Sequence, residues 1–171
     1  MLAREAIQLI GRHLRTAVRD GGDRAARYGM MLASTMAGMA MNPTRLGLAH
    51  ALAMPLGSWE LRIPHGYAIA ITLPVVMEFN HVARPERYVE VARALGESVE
   101  GLPPSEAAVR SVAAVRSLAR DIGMAGGLSE LGLRPEHLED VAAEAIKSGN
   151  VAVNPRRASV EDLRRILQEA L

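Results

Sequence analysis

The chain has 171 residues, with twenty basic and nineteen acidic side chains, a formal charge of +1 and no cysteine. That length fits one domain with a sizeable core, the balanced charge excludes the dense basic patch of a nucleic-acid binder, and the lack of thiols excludes disulfides and thiolate metal sites. Aromatic residues make up only 3%, which favours helices over strands, so the expected class is all-α.

Leu2, Ala6, Leu9, Ile10, Leu14 and Val18 recur at helical spacing, and Gly21 and Gly22 end the element they predict. Arg and Glu interrupt this run, so it is not a secretory signal. No capping residue precedes it. Asp23 caps a second predicted helix, to about residue 41, whose later part is apolar on every side: Met30, Met31, Leu32, Met36, Met39 and Met41. A helix apolar all round belongs in the middle of a bundle. Its nearly uncharged run, residues 28–41, is shorter than the ~20 residues a bilayer span needs, and a cytoplasmic protein that makes no use of a membrane is expected.

Asn42 and Pro43 predict the start of a third helix, through Met54, ended by Pro55 and Gly57. Residues 58–64 read as a loop. His65 and Gly66 lead into a further apolar helix, which Pro74 should kink or split before it ends near Asn80. Arg84 and Pro85 open a helix through Leu95, and Ser105 caps another to about Ile122. Residues 123–132 form a glycine-rich connector that matches neither the P-loop nor the dinucleotide fingerprint. Pro135 starts a helix through about Ser148, ended by Gly149 and Asn150. Ser159 and Asp162 form a capping box for a last helix over residues 160–170. About eight helices and no strand are expected.

Between Tyr28 and Phe79 only Arg45, Glu60, Arg62 and Glu78 are charged, so His50 and His65 lie in a stretch shielded from water, where imidazoles need partners. Each stands beside small residues, Ala49 and Ala51 for one and Gly66 and Ala68 for the other, which let a ligand approach closely. Converging neutral imidazoles can bind Zn²⁺ or Fe²⁺. Two are fewer than the three protein ligands of an ordinary catalytic zinc site. His13, His81 and His137 read as surface residues.

Four stretches carry a resemblance: Leu-Gly-Leu-Ala-His-Ala-Leu-Ala-Met-Pro-Leu-Gly at 46–57, Ile-Pro-His-Gly at 63–66, Leu-Pro-Val-Val-Met-Glu-Phe-Asn at 73–80, and Asn-Pro-Arg-Arg at 154–157. In this order and spacing they resemble the iron-containing (group III, metal-dependent) alcohol dehydrogenase family. The resemblance covers essentially the whole chain, but only the helical C-terminal half of the family's pattern. It implies a single all-helical domain, residues 1–171, without the family's N-terminal nucleotide-binding α/β domain.

In that family NAD(P) and substrate meet between the two domains, and the metal is held by an Asp and a His four residues apart plus two later histidines. His50 and His65 match the later two. The chain resembles the pattern from just after the first pair, which would account for the uncapped first helix. Met54 stands where the family often has a histidine beside the nicotinamide, and residues 57–65 are about one residue longer than usual.

The resemblance implies the helical metal-binding domain of an NAD(P)-dependent alcohol/aldehyde oxidoreductase, inactive as an isolated chain. The implied cofactors are Fe²⁺ or Zn²⁺ in an incomplete site, and NAD(P) only with a complementary nucleotide-binding chain. Gly66 and Met54 would line the cleft. The alternative is a non-catalytic helical assembly module, or truncated remnant of such an enzyme, that assembles with itself or with another subunit through an apolar wall of Met54, Leu56, Trp59 and Ile63.

Overall fold

Asp23 starts the second helix as its side chain suggests, with Oδ1 accepting from the Ala26 N–H at 2.9 Å. In the computed structural model, which describes residues 1–58 and 60–171, nine α-helices and three short 3₁₀ turns account for the regular structure, and no strand occurs among the described residues. Trp59 and its part in the expected wall lie outside the described residues. No helix among the described residues is long and apolar enough to cross a membrane.

The chain gathers into two compact units, each assembled from two separate stretches. The first combines residues 1–44 and 84–123 and holds α1 (Leu2–Arg19), α2 (Arg24–Met41), α5 (Pro85–Ala94) and α6 (Pro104–Asp121). Its helices approach closely through small residues. Ala6, Ala26, Gly29 and Ala33 are the buried positions of α1 and α2, and the His13 ring occupies the space a side chain at Gly29 would need. Val89, Ala92, Val99 and Ala107 make a small core between α5 and α6. Arg15 Nε meets Asp121 Oδ2 at 2.7 Å, joining α1 to α6.

The all-apolar half of α2 does not lie in the middle of a bundle. Tyr28 and Met31 are each 68% exposed, and Met39 and Met41 are also exposed. A 3.6-residue period shows which face is apolar, but when every face is apolar it cannot select the one that packs. Here the small residues select it, because they allow the closest backbone approach.

The second unit combines residues 45–83 and 124–171. It holds α3 (Leu48–Leu56), α4 (His65–Asn80), α7 (Leu138–Ala145), α8 (Gly149–Ala152) and α9 (Val160–Glu169), with 3₁₀ turns at His81–Ala83, Leu128–Leu131 and Pro135–His137. Leu48, Leu52, Leu56, Ile63, Leu128, Leu133, Leu163, Ile166 and Leu167 are essentially inaccessible and form its core. Each such side chain contributes about 1.5–3 kcal/mol by leaving water. Ser159 and Asp162 make the expected capping box of α9.

Four expectations are corrected in detail. Asn42 does not open a helix: it keeps helical dihedrals (φ −55°, ψ −47°) at the end of α2, Arg45 turns the chain at φ 61°, and α3 starts only at Leu48. Pro74 does not split α4, which runs through it as one helix. The missing N–H costs one hydrogen bond, set against a helix whose Val75, Val76, Met77 and Phe79 are buried around the proline. Ser105 is not the cap of α6, since Pro103 takes that position and Pro104 the first helical one, where a proline's fixed φ suits the helix. Gly149 does not end a helix but begins α8, which Ser148 caps by accepting from the Asn150 N–H at 3.3 Å.

Candidate functional site

α3 and α4 are joined by residues 57–64, and the connection folds back onto α3: the Ile63 N–H donates to the Leu56 carbonyl at 3.1 Å and Arg62 N–H to Ser58 carbonyl at 2.7 Å. Ile63 is buried beneath it. His50 is the third residue of α3 and His65 the first of α4. The return of the loop therefore brings together two side chains that sequence separates by a helix and a turn. Their ring centroids lie 5.3 Å apart with the planes inclined at 59°.

His50 is half-buried and His65 exposed. Burial, and then the neighbouring His65, hold the His50 imidazole below its usual pKa. A neutral imidazole is the form that coordinates a metal.

Beside the rings lies an open cleft of about 480 Å³ lined by Ala53, Met54, Gly57, Arg62, Ile63, Pro64 and His65. His50, Met54 and Gly57 fall at i, i+4 and i+7 and so share one face of α3. Met54, 65% exposed, lies over the cleft. Gly66 is exposed at the second position of α4 with open space beyond it. Of the expected apolar wall, Leu56 is fully buried and Ile63 is 2% exposed. Both belong to the core, where the folded-back loop covers them.

The donor set fits a metal in part. With metal–nitrogen distances of about 2.0–2.1 Å, two imidazoles on one tetrahedral ion have ring centroids about 5 Å apart, close to the separation seen here. No group of three or more His, Asp or Glu that could hold a metal occurs among the described residues. The pair would supply two nitrogen ligands and no more.

The family model for the C-terminal part of Fe-containing alcohol dehydrogenases matches residues 1–171. The chain belongs to the Fe-containing alcohol dehydrogenase family. Among curated members of that family it is 39% identical to the 1,3-propanediol dehydrogenase of Klebsiella pneumoniae over 98% of its own length and 43% of that protein. It is 36% identical to the NAD-dependent methanol dehydrogenase of Bacillus methanolicus over 98% of its length and 44% of that protein. The crystal structure of a 1,3-propanediol oxidoreductase superposes with a TM-score of 0.97 at 39% identity, covering 99% of this chain and 44% of that one. An alcohol dehydrogenase from Oenococcus oeni gives a TM-score of 0.94 at 40% identity, covering 98% and 44%. The chain thus spans less than half the length of these relatives, and its all-α fold is that of the corresponding part of the family.

Three other placements were not read from the sequence. His137 is half-buried, its Nδ1 accepting from the Arg134 N–H at 3.1 Å. With Asp140 and Glu144 it borders a second cleft of about 500 Å³ that Pro55, Ser58, Glu60 and Leu61 close from the other side. Their spacing of i, i+3 and i+7 was visible. His13 is packed on Gly29 and His81 is half-buried. Asn80 and Asn154 stand in the stretches at 73–80 and 154–157, but the bonds by which they and Asn150 tie α4, α8 and the segment after it to one another and to residues 46–48 leave no pattern that a single sequence displays.

Proposed function

We propose that this chain is the helical, metal-ligand-bearing part of an NAD(P)-dependent alcohol/aldehyde oxidoreductase, with His50 and His65 as two ligands of Fe²⁺ or Zn²⁺. The observation that carries this reading is the pair of imidazoles 5.3 Å apart beside an open cleft. Two relatives, a 1,3-propanediol dehydrogenase and an NAD-dependent methanol dehydrogenase, supply the reaction class. When bound, the metal supplies Lewis-acid polarisation of the alcohol or carbonyl oxygen.

The chain's own residues orient and shield. His50, half-buried, fixes one ligand direction, and His65, at the exposed start of α4, offers the other. Burial beside a second imidazole favours neutral His50, ready to donate a lone pair without first losing a proton. Met54 presents a thioether to the cleft, which packs against a flat apolar ring but neither donates nor relays a proton. The remaining ligands and the nucleotide site lie outside these 171 residues, which by themselves should not turn over substrate.

Metal titration and an activity assay test this together. The purified chain should bind Co²⁺, as a visible stand-in for Fe²⁺ or Zn²⁺, weakly and in one-to-one ratio, and His50→Ala or His65→Ala should each abolish binding. Unchanged affinity in either variant would overturn the ligand assignment. Oxidation of NADH or NADPH with a simple aldehyde by the purified chain would overturn the incomplete-site reading.

A second reading, a non-catalytic module that assembles with itself, is favoured by one observation: Tyr28, Met31, Met39 and Met41 are exposed on α2. Large apolar side chains left in water invite association where they gather into a patch. A chain that stays monomeric by light scattering at high concentration would argue against it.

A further inference from the structure

α3 is a nine-residue helix, shorter than the ~12–15 residues at which isolated helices become stable, and its N-cap residue, Gly47, has no side chain to receive the first N–H groups. The first of those donors is met from elsewhere in the sequence: Asn154 Oδ1 accepts from the Leu48 N–H at 3.3 Å, and just ahead of the cap Asn150 Oδ1 accepts from the Leu46 N–H at 3.3 Å. Gly47 makes room for this contact: a Cβ there would stand 3.1 Å from Asn154 Oδ1. Its backbone, at φ −133° and ψ −157°, is one any residue adopts, so close approach is the reason for glycine here.

The same carboxamide is fixed to the other histidine-bearing helix. Asn154 Nδ2 donates to Asn80 Oδ1 at 2.6 Å and to the Arg156 carbonyl at 2.7 Å, while Asn80 Nδ2 donates to Asn154 Oδ1 at 2.9 Å. Asn80 is the last residue of α4, whose first is His65. Arg156 clamps the segment further, stacking 4.0 Å over the Phe79 ring and donating to the Phe79 carbonyl at 3.0 Å. One side chain therefore bonds the helix that carries His50, two residues before that histidine, and the helix that carries His65.

We infer that Asn154 is a positioning residue for the His50–His65 pair, acting as the detached N-cap of α3 and setting the direction in which that helix presents His50. It touches neither imidazole nor the cleft, so its effect is carried through backbone. The metal-binding consequence rests on the function proposed above, whereas the geometric one does not.

The test uses the isotopically labelled 171-residue chain. Without metal it reads the nuclear Overhauser effect between the His50 and His65 rings and the hydrogen exchange of the Leu48 amide. With Co²⁺ it reads affinity and the visible spectrum. Asn154→Ala should weaken the inter-ring effect, speed Leu48 exchange, lower Co²⁺ affinity about tenfold and shift the visible bands, in the range of supporting-residue effects at metal sites. Asn154→Asp keeps the oxygen that accepts from Leu48 but loses both donations, to Asn80 Oδ1 and to the Arg156 carbonyl, so it should recover Leu48 protection without restoring the full inter-ring effect. An inter-ring effect unchanged in Asn154→Ala, or Leu48 exchange as fast in Asn154→Asp as in Asn154→Ala, overturns the inference even if both variants are less stable.

Should Asn154→Ala not fold, Gly47→Ala serves, since it retains every hydrogen-bonding group while displacing the amide. It should weaken the same inter-ring effect, and no change there overturns the inference. If the wild-type chain binds no Co²⁺ while the inter-ring effect still depends on Asn154, the metal reading falls and the positioning role stands.

Discussion

Asn80 and Asn154 exchange two amide hydrogen bonds, at 2.9 and 2.6 Å, between the end of α4 and the segment that follows α8. Asn80 is buried, so neither amide can be replaced by an apolar side chain without leaving its partner's polar atoms unmet. Asn80→Ala should cost about 1–3 kcal/mol, the usual range for a buried group left without a partner. Urea unfolding should show a lower midpoint with an unchanged slope. A midpoint equal to wild type would mean that water replaces the lost bonds at no cost.

His65→Ala should raise the pKa of His50 toward its ordinary value, because the neighbouring imidazole is one of the two causes that lower it. Burial, the larger cause, should leave part of the depression in place. The sign for stability follows from proton counting. A histidine whose folded pKa is below its unfolded value of about 6.5 leaves the unfolded state holding more protons in the window between the two. The chain should therefore lose stability as pH falls through that window, and stay constant with respect to this group above it. Histidine-selective NMR titration of wild type and His65→Ala checks the shift, and unfolding at a series of pH values checks the sign.

Gly29→Ala should destabilise by about 1–3 kcal/mol, as overpacking does, since the His13 ring fills the space its methyl would take. Combining it with His13→Ala should recover part of the loss, a coupling that a double-mutant cycle by thermal unfolding would measure. Simple additivity would show that the helix pair relaxes without the ring's help.

Leu52→Ala should cost about 2–5 kcal/mol, because Leu52 is fully buried among the core leucines of its unit. Met31→Ala, at an exposed position on α2, should change stability by less than about 0.5 kcal/mol. Chemical denaturation of the two variants side by side distinguishes them. A large effect at Met31 would mean that the face is covered in solution.

The contrast between those two leucine and methionine positions shows what the sequence made legible. Boundaries marked by local chemistry were readable: the Asp23 cap, Pro85 at the start of α5 and the Ser159–Asp162 box each act within a few residues. The His50–His65 stretch could also be picked out, because imidazoles among so few charges demand an explanation. What could not be read was anything satisfied from a distance. Asn42 followed by Pro43 looks like a helix start only if the cap must be local, whereas the first N–H of α3 is met by Asn154 from beyond α8. Leu56 and Ile63 looked like a wall facing an absent partner because the fold-back of residues 57–64 is invisible in periodicity. The apolar faces of α2 looked buried because hydrophobicity alone does not say that Ala26, Gly29 and Ala33 would win the contact.

Each compact unit draws on two stretches that alternate along the chain, 1–44 with 84–123 and 45–83 with 124–171. During synthesis α1 and α2 emerge well before α5 and α6, and their unit is incomplete until the chain has passed residue 123. The histidine-bearing helices must wait longer: Asn154 and the core residues Ile166 and Leu167 are made about a hundred residues after His50, and the Leu128 N–H bonds the carbonyl of Ala170 at 2.8 Å. Closing loops of such length is an entropic cost met before the contacts that reward it. No single cut in the chain releases either unit whole, so a nascent or proteolysed product shortened at its C-terminal end would lose the geometry of His50 and His65 even though both residues were present.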